Sequence, residues 1–278
     1  MENQKLLVSI ITPTFNRGKF LEQNIISIKN QDYPFIEHIV IDGGSTDNSL
    51  EILKKYEGTY NLKWISEKDN GCADAMNKGF ERASGQIFCW LDSDDFYLPC
   101  AIKKIAEVFK NNLNVDAVFG DVLLGTVEGK IIGYTKYTSF NAETSIYLGM
   151  VVATQSTFWR STLHRKINGL DAKYLRCADL DFFTRMAISG AKFRHVRNFL
   201  SVYRYHPGQL TQSVDLCEKE KKEIFQKYSD NKLNARGLKL KRMKLLLERA
   251  VNFIKQGDIW YVFKGILRRF DFLYAVNK

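Results

Sequence analysis

Over the first 122 residues the apolar positions switch back and forth between two periods. Short apolar, β-branched runs at residues 6–12, 36–41, 62–65, 87–91 and 115–122 read as strands buried on both faces. Between them the apolar residues recur at helical spacing: Leu21, Ile25 and Ile28; then Leu50, Leu53 and Tyr56, with Ser45 or Thr46 placed to cap; then residues 73–83; then Leu98, Ile102, Ile105 and Phe109. Strands alternating with helices predict an α/β fold, a mostly parallel, doubly wound sheet with right-handed crossovers. Further on the pattern loosens. Residues 125–137 read as a hairpin turning at Glu128-Gly129, residues 151–159 as a strand, and residues 193–205 as a long strand. Residues 179–188 read as a helix with Phe182, Phe183, Met186 and Ala187 inward. There is no internal repeat.

From residue 214 onward the pattern is helical again and the charge changes. The tail carries 11 Lys and 5 Arg against 8 acidic residues, and so holds +8 of the net charge of +10. One helix opens with Lys219, Lys221 and Lys222. A second sets Met243, Leu246, Leu247, Ala250, Val251 and Ile254 against Lys239, Lys241, Arg242, Lys244 and Arg249. A third carries Ile259, Phe263, Ile266, Leu267 and Phe270, with Trp260 and Tyr261 near its start and Arg268-Arg269 near its end. Basic amphipathic helices with aromatics suit an anionic membrane surface. The same stripes also suit packing on the protein body or a homo-oligomer. Nucleic acid is disfavoured, because the aromatics sit on apolar helical faces and not on an exposed stacking surface. The division is therefore residues 1–213 as the α/β domain and residues 214–278 as a basic helical tail.

Size and composition add limits. A chain of 278 residues with 45% apolar content supports one large domain, or one plus an appendage. Five cysteines without a C-x-x-C pair suit reduced thiols in a cytosol better than a disulfide framework or a zinc site. The first residues lack the pattern of a signal peptide, and no run approaches the ~18 apolar residues of a membrane span. The expected location is cytoplasmic, peripheral at the inner face of the membrane.

The candidate chemistry lies where strands end. The run at residues 87–91 stops in Asp92, Asp94 and Asp95, three carboxylates within four positions. Asp42 follows the second strand and Asp74 lies beyond the third. In a doubly wound sheet those ends face one crevice, where ligands bind. Close-set acids repel one another and call for a cation, and hard divalent cations share oxygen ligands with phosphates. The plainer alternative makes each Asp a cap or turn residue. No G-x-G-x-x-G follows the first strand and no G-x-x-x-x-G-K-[ST] occurs, which disfavours a dinucleotide dehydrogenase and a P-loop enzyme. A nucleoside diphosphate with a bridging cation fits better.

Residues 9–17 (SIITPTFNR), 39–47 (IVIDGGSTD), 74–79 (DAMNKG) and 92–95 (DSDD), in that order, resemble the family 2 glycosyltransferases of GT-A fold, in the variant of bacterial O-antigen, colanic-acid and capsule pathways. The resemblance spans about residues 6–213, with residues 1–122 as the nucleotide-binding half and 123–213 as the acceptor half. It implies an inverting transferase with a nucleotide-sugar donor, often UDP-linked, Mn²⁺ or Mg²⁺, and a glycan or lipid-linked glycan acceptor. Pro13, Phe15 and Arg17 would lie near the uracil, with Asp42 facing the base. Asp92 and Ser93 would sit near the ribose, and Asp94 of this DXD motif would bind the metal. Asp74 and Asn77 would line the same pocket. Members often carry a second Asp after the one matching Asp42; here that residue is Gly43. Asp179 matches the general base, with Asp181 two residues on. Gln155 and Trp159 match a stretch beside the acceptor, and His206, in a Y-R-x-H segment, a contact to diphosphate or metal. Read without the resemblance, Asp179 is also a plain N-cap, His206 a turn residue and Trp90 core packing. A competing class is a non-catalytic nucleotide- or sugar-binding subunit, against which the intact acids count.

Overall fold

The computed structural model describes residues 5–209, 214–230 and 232–263. The chain alternates β1 (Val8–Thr14), α1 (Gly18–Lys29), β2 (Ile36–Asp42), α2 (Ser49–Tyr56), β3 (Leu62–Ser66), α3 (Cys72–Arg82) and β4 (Ile87–Trp90). A two-residue strand β5 (Phe96–Tyr97), α4 (Ala101–Asn111), β6 (Ala117–Gly125) and β7 (Ile131–Thr135) follow. Then come α5 (Ala142–Leu148), β8 (Thr157–Arg160), α6 (Ser161–Lys166), α7 (Ala178–Ile188) and β9 (Phe193–Arg204), and finally α8 (Val214–Tyr228) and α9 (Ala235–Lys255).

Among the described residues nine strands join one sheet in the order β3-β2-β1-β4-β8-β6-β9-β5, with β7 beside β6. The β1–β4 strands are mutually parallel; β8 runs against both β4 and β6, and β9 runs with β6. The β1, β4, β6 and β9 strands therefore deliver their carboxyl ends to one edge.

Alternation within β1 and β4 feeds two of the three apolar cores. Ile11, Phe88 and Trp90 point to the face covered by α3 and α7. Ile10, Ile87 and Cys89 point to the face covered by α4 and the end of α1. Both sets are apolar because helices cover both faces, so the strands read as unbroken apolar runs.

Three expectations change. The expected strand at 151–159 is shorter: a 3₁₀ turn occupies Thr154–Ser156 and only Thr157–Arg160 pairs. Sequence periodicity passes over α5, α6 and β5, which are too short to show a period. The expected tail helix from Ile259 is described only to residue 263, so Ile266, Leu267, Phe270 and Arg268-Arg269 lie outside the described residues.

Candidate active site

A cavity of about 540 Å³ opens beyond the carboxyl ends of β1, β4, β6 and β9. Of the residues expected there, Pro13, Phe15, Arg17, Asp92, Ser93, Asp94, Gln155 and Asp179 line it.

The loops carrying these groups are stitched to one another. Asn16 takes a left-handed conformation (φ 52°), which asparagine tolerates. Its backbone N–H donates to Ser45 Oγ at 2.8 Å, and its side-chain oxygen accepts from the Thr46 N–H at 2.8 Å. Arg17 donates to the Gly208 carbonyl at 2.8 Å and places its Nε 4.0 Å from Asp94 Oδ2.

The acidic turn is held from behind. Asn24 of α1, fully buried, donates to the carbonyls of both Asp92 and Asp95 at 3.0 Å. Arg204, at the end of β9, donates through its guanidinium to the Asp94 carbonyl and through its backbone N–H to Asp95 Oδ1 at 2.9 Å. The carbonyls of the turn are thereby satisfied by neutral and cationic donors, Asp95 is tied to the end of β9, and the Asp92 and Asp94 carboxylates face the cavity.

Asp92, Asp94 and Asp95 offer oxygens that all lie within 4.8 Å of one another. Burial, then Asp94 and Asp179, push the Asp92 carboxyl up to about 7. Burial, then Asp94 and Asp92, raise Asp95 well above the carboxylate range despite Arg204. Asp95 Oδ2 is buried with no hydrogen-bond partner among the described residues. Crowded, dehydrated carboxylates of this kind fit a hard divalent cation, whose charge would offset their repulsion. His206 stands beside this cluster: its Nδ1 lies 3.0 Å from the Pro207 carbonyl and its Nε2 2.9 Å from Asp94 Oδ2. The ring lies behind Asp94, packed on Phe20.

Asp179 occupies the first turn of α7, where the helix dipole favours a carboxylate and where the Leu180 N–H donates to it at 2.8 Å. Burial outweighs both and sets its carboxyl at about 6. A carboxylate with that affinity for protons is suited to general-base work near neutrality.

Five expected site residues are placed elsewhere. Asp42 is fully buried and turned inward: it accepts the backbone N–H groups of Gly44 and Ser45 and the hydroxyls of Ser45 and Ser66, so both its oxygens serve the loop after β2 and the end of β3. Asp74 accepts from the Asn70 N–H and pairs with Lys78 on the outer side of α3. Asn77 exchanges hydrogen bonds with the backbone of Leu170. Trp159 is fully buried among Phe80, Trp90, Phe182 and Phe183, because β8 sits mid-sheet between β4 and β6. Asp181 is fully buried and meets Arg185, Lys227 and Tyr228. Burial would raise its carboxyl, but those partners hold it below the usual range.

The cavity also has walls that sequence reasoning passed over. Asp69, in the loop after β3, lines it, as do Tyr137 at the end of the hairpin and Arg176. An acid three residues beyond the third strand is the signal that could have marked Asp69.

Comparison with known proteins agrees with this architecture. Residues 9–167 match the family described as glycosyl transferase family 2. An uncharacterised glycosyltransferase of Mycobacterium tuberculosis is 35% identical over 188 residues, covering 65% of this chain and 69% of the relative. Among solved structures, TarS 1–349 of S. aureus in complex with UDP-GlcNAc superposes with a TM-score of 0.66 at 19% identity, over 87% of this chain and 72% of that one. A mannosyltransferase of Pyrobaculum calidifontis in complex with GDP-Man and Mn²⁺ gives 0.58 at 18% identity, over 74% and 59%. Fold and site together define a glycosyltransferase of GT-A architecture. The chain belongs to glycosyl transferase family 2.

Proposed function

We propose that this chain is an inverting, divalent-cation-dependent glycosyltransferase. It moves a sugar from a nucleoside diphosphate, UDP in the favoured case, to a hydroxyl of a lipid-linked or polysaccharide acceptor in bacterial surface-glycan synthesis. The observation that carries this reading is the convergence of Asp179 with Asp92 and Asp94 on one cavity. Asp92, Asp94, Asp95 and His206 would hold Mn²⁺ or Mg²⁺, which when bound supplies positive charge to the departing diphosphate. Phe15 and Pro13 offer an apolar wall for the base. Arg17 adds a cation beside Asp94. Asp179 accepts the acceptor's hydroxyl proton as that oxygen attacks the anomeric carbon. Attack on the face opposite the leaving diphosphate inverts configuration.

The tail supports a membrane-surface location. The apolar stripe of α9 stays about half exposed: Met243 is 50% exposed, Leu247 61%, Val251 47% and Ile254 49%. Lysines and arginines flank it, an arrangement suited to anionic lipid.

The test is a panel of nucleotide-sugars scored by Mn²⁺-dependent thermal stabilisation and by donor turnover. Asp94→Ala should lose both. Asp179→Asn should keep the stabilisation and lose on the order of 10²–10⁴ in kcat. Unchanged turnover in Asp179→Asn would remove the assigned base.

A further inference from the structure

Asp69 stands in the loop between β3 and α3. Its Oδ1 accepts the Gly71 N–H at 2.9 Å, which fixes the carboxylate plane. Its Oδ2 takes no hydrogen bond from any described residue. This oxygen lies 2.5 Å from the point where a Cβ on Gly43 would stand, and Phe15 Cδ2 lies 3.5 Å from the same point. A free carboxylate oxygen and an aromatic edge thus meet over a glycine that leaves room for both. Asp69 and Phe15 line the cavity, and the Phe15 ring is 56% exposed, open to a planar ligand. Asp42, the acid expected to face the base, is fully buried and accepts four hydrogen bonds from its own loop and Ser66, so both its oxygens are already engaged away from the cavity.

We infer that Asp69 reads the donor's base: its Oδ2 accepts a ring N–H from a base stacked on Phe15, and Gly43 is glycine so that this carboxylate can stand there. The inference deepens the donor reading above and rests on it. An ionised carboxylate only accepts hydrogen bonds. Uracil and guanine present a ring N–H on the edge that pairs with another base, whereas cytosine and adenine present a lone pair at that ring nitrogen. Asp69 therefore selects for UDP- or GDP-linked donors over CDP- and ADP-linked ones. Stacking on Phe15 adds affinity without choosing among bases.

Isothermal titration of the full chain with UDP, GDP, CDP and ADP in Mn²⁺ tests this. UDP or GDP should bind at least about 10-fold tighter than CDP and ADP, the scale of one hydrogen bond to a charged group. Asp69→Asn keeps an oxygen for the Gly71 N–H, so the loop should survive, and its amide accepts either class of base. Discrimination should fall to within about threefold. Gly43→Ala should weaken UDP or GDP binding by a similar factor, because its methyl displaces the carboxylate. If Asp69→Asn discriminates as well as the natural chain, or if the natural chain binds CDP or ADP equally well, the inference alone is overturned. If no nucleoside diphosphate binds with Mn²⁺, the donor reading falls with it.

Discussion

Asp179 and Asp181 stand two positions apart in the first turn of α7, and their surroundings drive them in opposite directions. Asp181 meets Arg185, Lys227 and Tyr228 and is held below the usual range; Asp179 forms no ion pair, and burial outweighs the Leu180 N–H and the nearby Lys221 charge to raise it to about 6. Two outcomes follow for Asp179. The pH profile of kcat/KM should rise between about pH 5 and 7 with an apparent midpoint near 6, as the base loses its proton. Stability moves the other way. A raised folded-state value means that the native state keeps a proton the unfolded chain gives up, so this contribution is full below the ordinary carboxylate value and is lost as pH rises through about 6. Asp179→Asn should therefore melt higher than the natural chain at pH 8 and about equally at pH 4, read by differential scanning fluorimetry. Spacing alone placed both acids on one helix turn, but it could not separate them, because the cations that neutralise Asp181 come partly from α8.

At the scale of elements, the acidic turn after β4 depends on groups remote in sequence. Asn24 reaches it from α1 and Arg204 from β9. Replacing Asn24 with Ala would leave the buried Asp95 carbonyl without its donor, while the Asp92 carbonyl keeps the Asp95 N–H, at a cost of about 1–3 kcal/mol for the group left unsatisfied. It should also weaken Mn²⁺-dependent stabilisation, because the carboxylates ride on that turn. A melting curve that shifts downward with unchanged metal response would show the clamp to be structural only. The strands and long helices of the first 122 residues were legible because burial on two faces writes its period into the sequence. The short helices α5 and α6 carry no period, and α5 is set instead by the Asn141 and Thr144 capping box.

At the scale of the molecule, the basic tail is two things. The α8 helix is bound into the body: buried Glu220 accepts the backbone N–H groups of Leu175, Arg176 and Cys177, each at 2.9 Å, directly before Asp179. Ile224 joins the main core. The α9 helix buries Leu245 and Phe253 and leaves its apolar stripe about half exposed. Ending the chain after residue 234 should keep cation-dependent donor turnover and reduce sedimentation with anionic vesicles. Ending it after residue 213 should abolish turnover, because three backbone donors lose their acceptor. If both truncations retain full vesicle binding, the exposed stripe is not the lipid contact.

The order of residues by itself determined the alternating strands and helices, the acid-tipped β4 and the segregation of charge, because each depends only on neighbours along the chain or on its local period. Which carboxylates remain for a ligand was decided by the tertiary structure. Asp42 is engaged by its own loop and Ser66, Asp181 by α7 and α8, while Asp69, Asp94 and Asp179 reach the cavity. Solvation and pairing of a charge depend on distances through space, and residues such as Asn24 and Asp92, 68 apart in the chain, come into contact only when the sheet has closed.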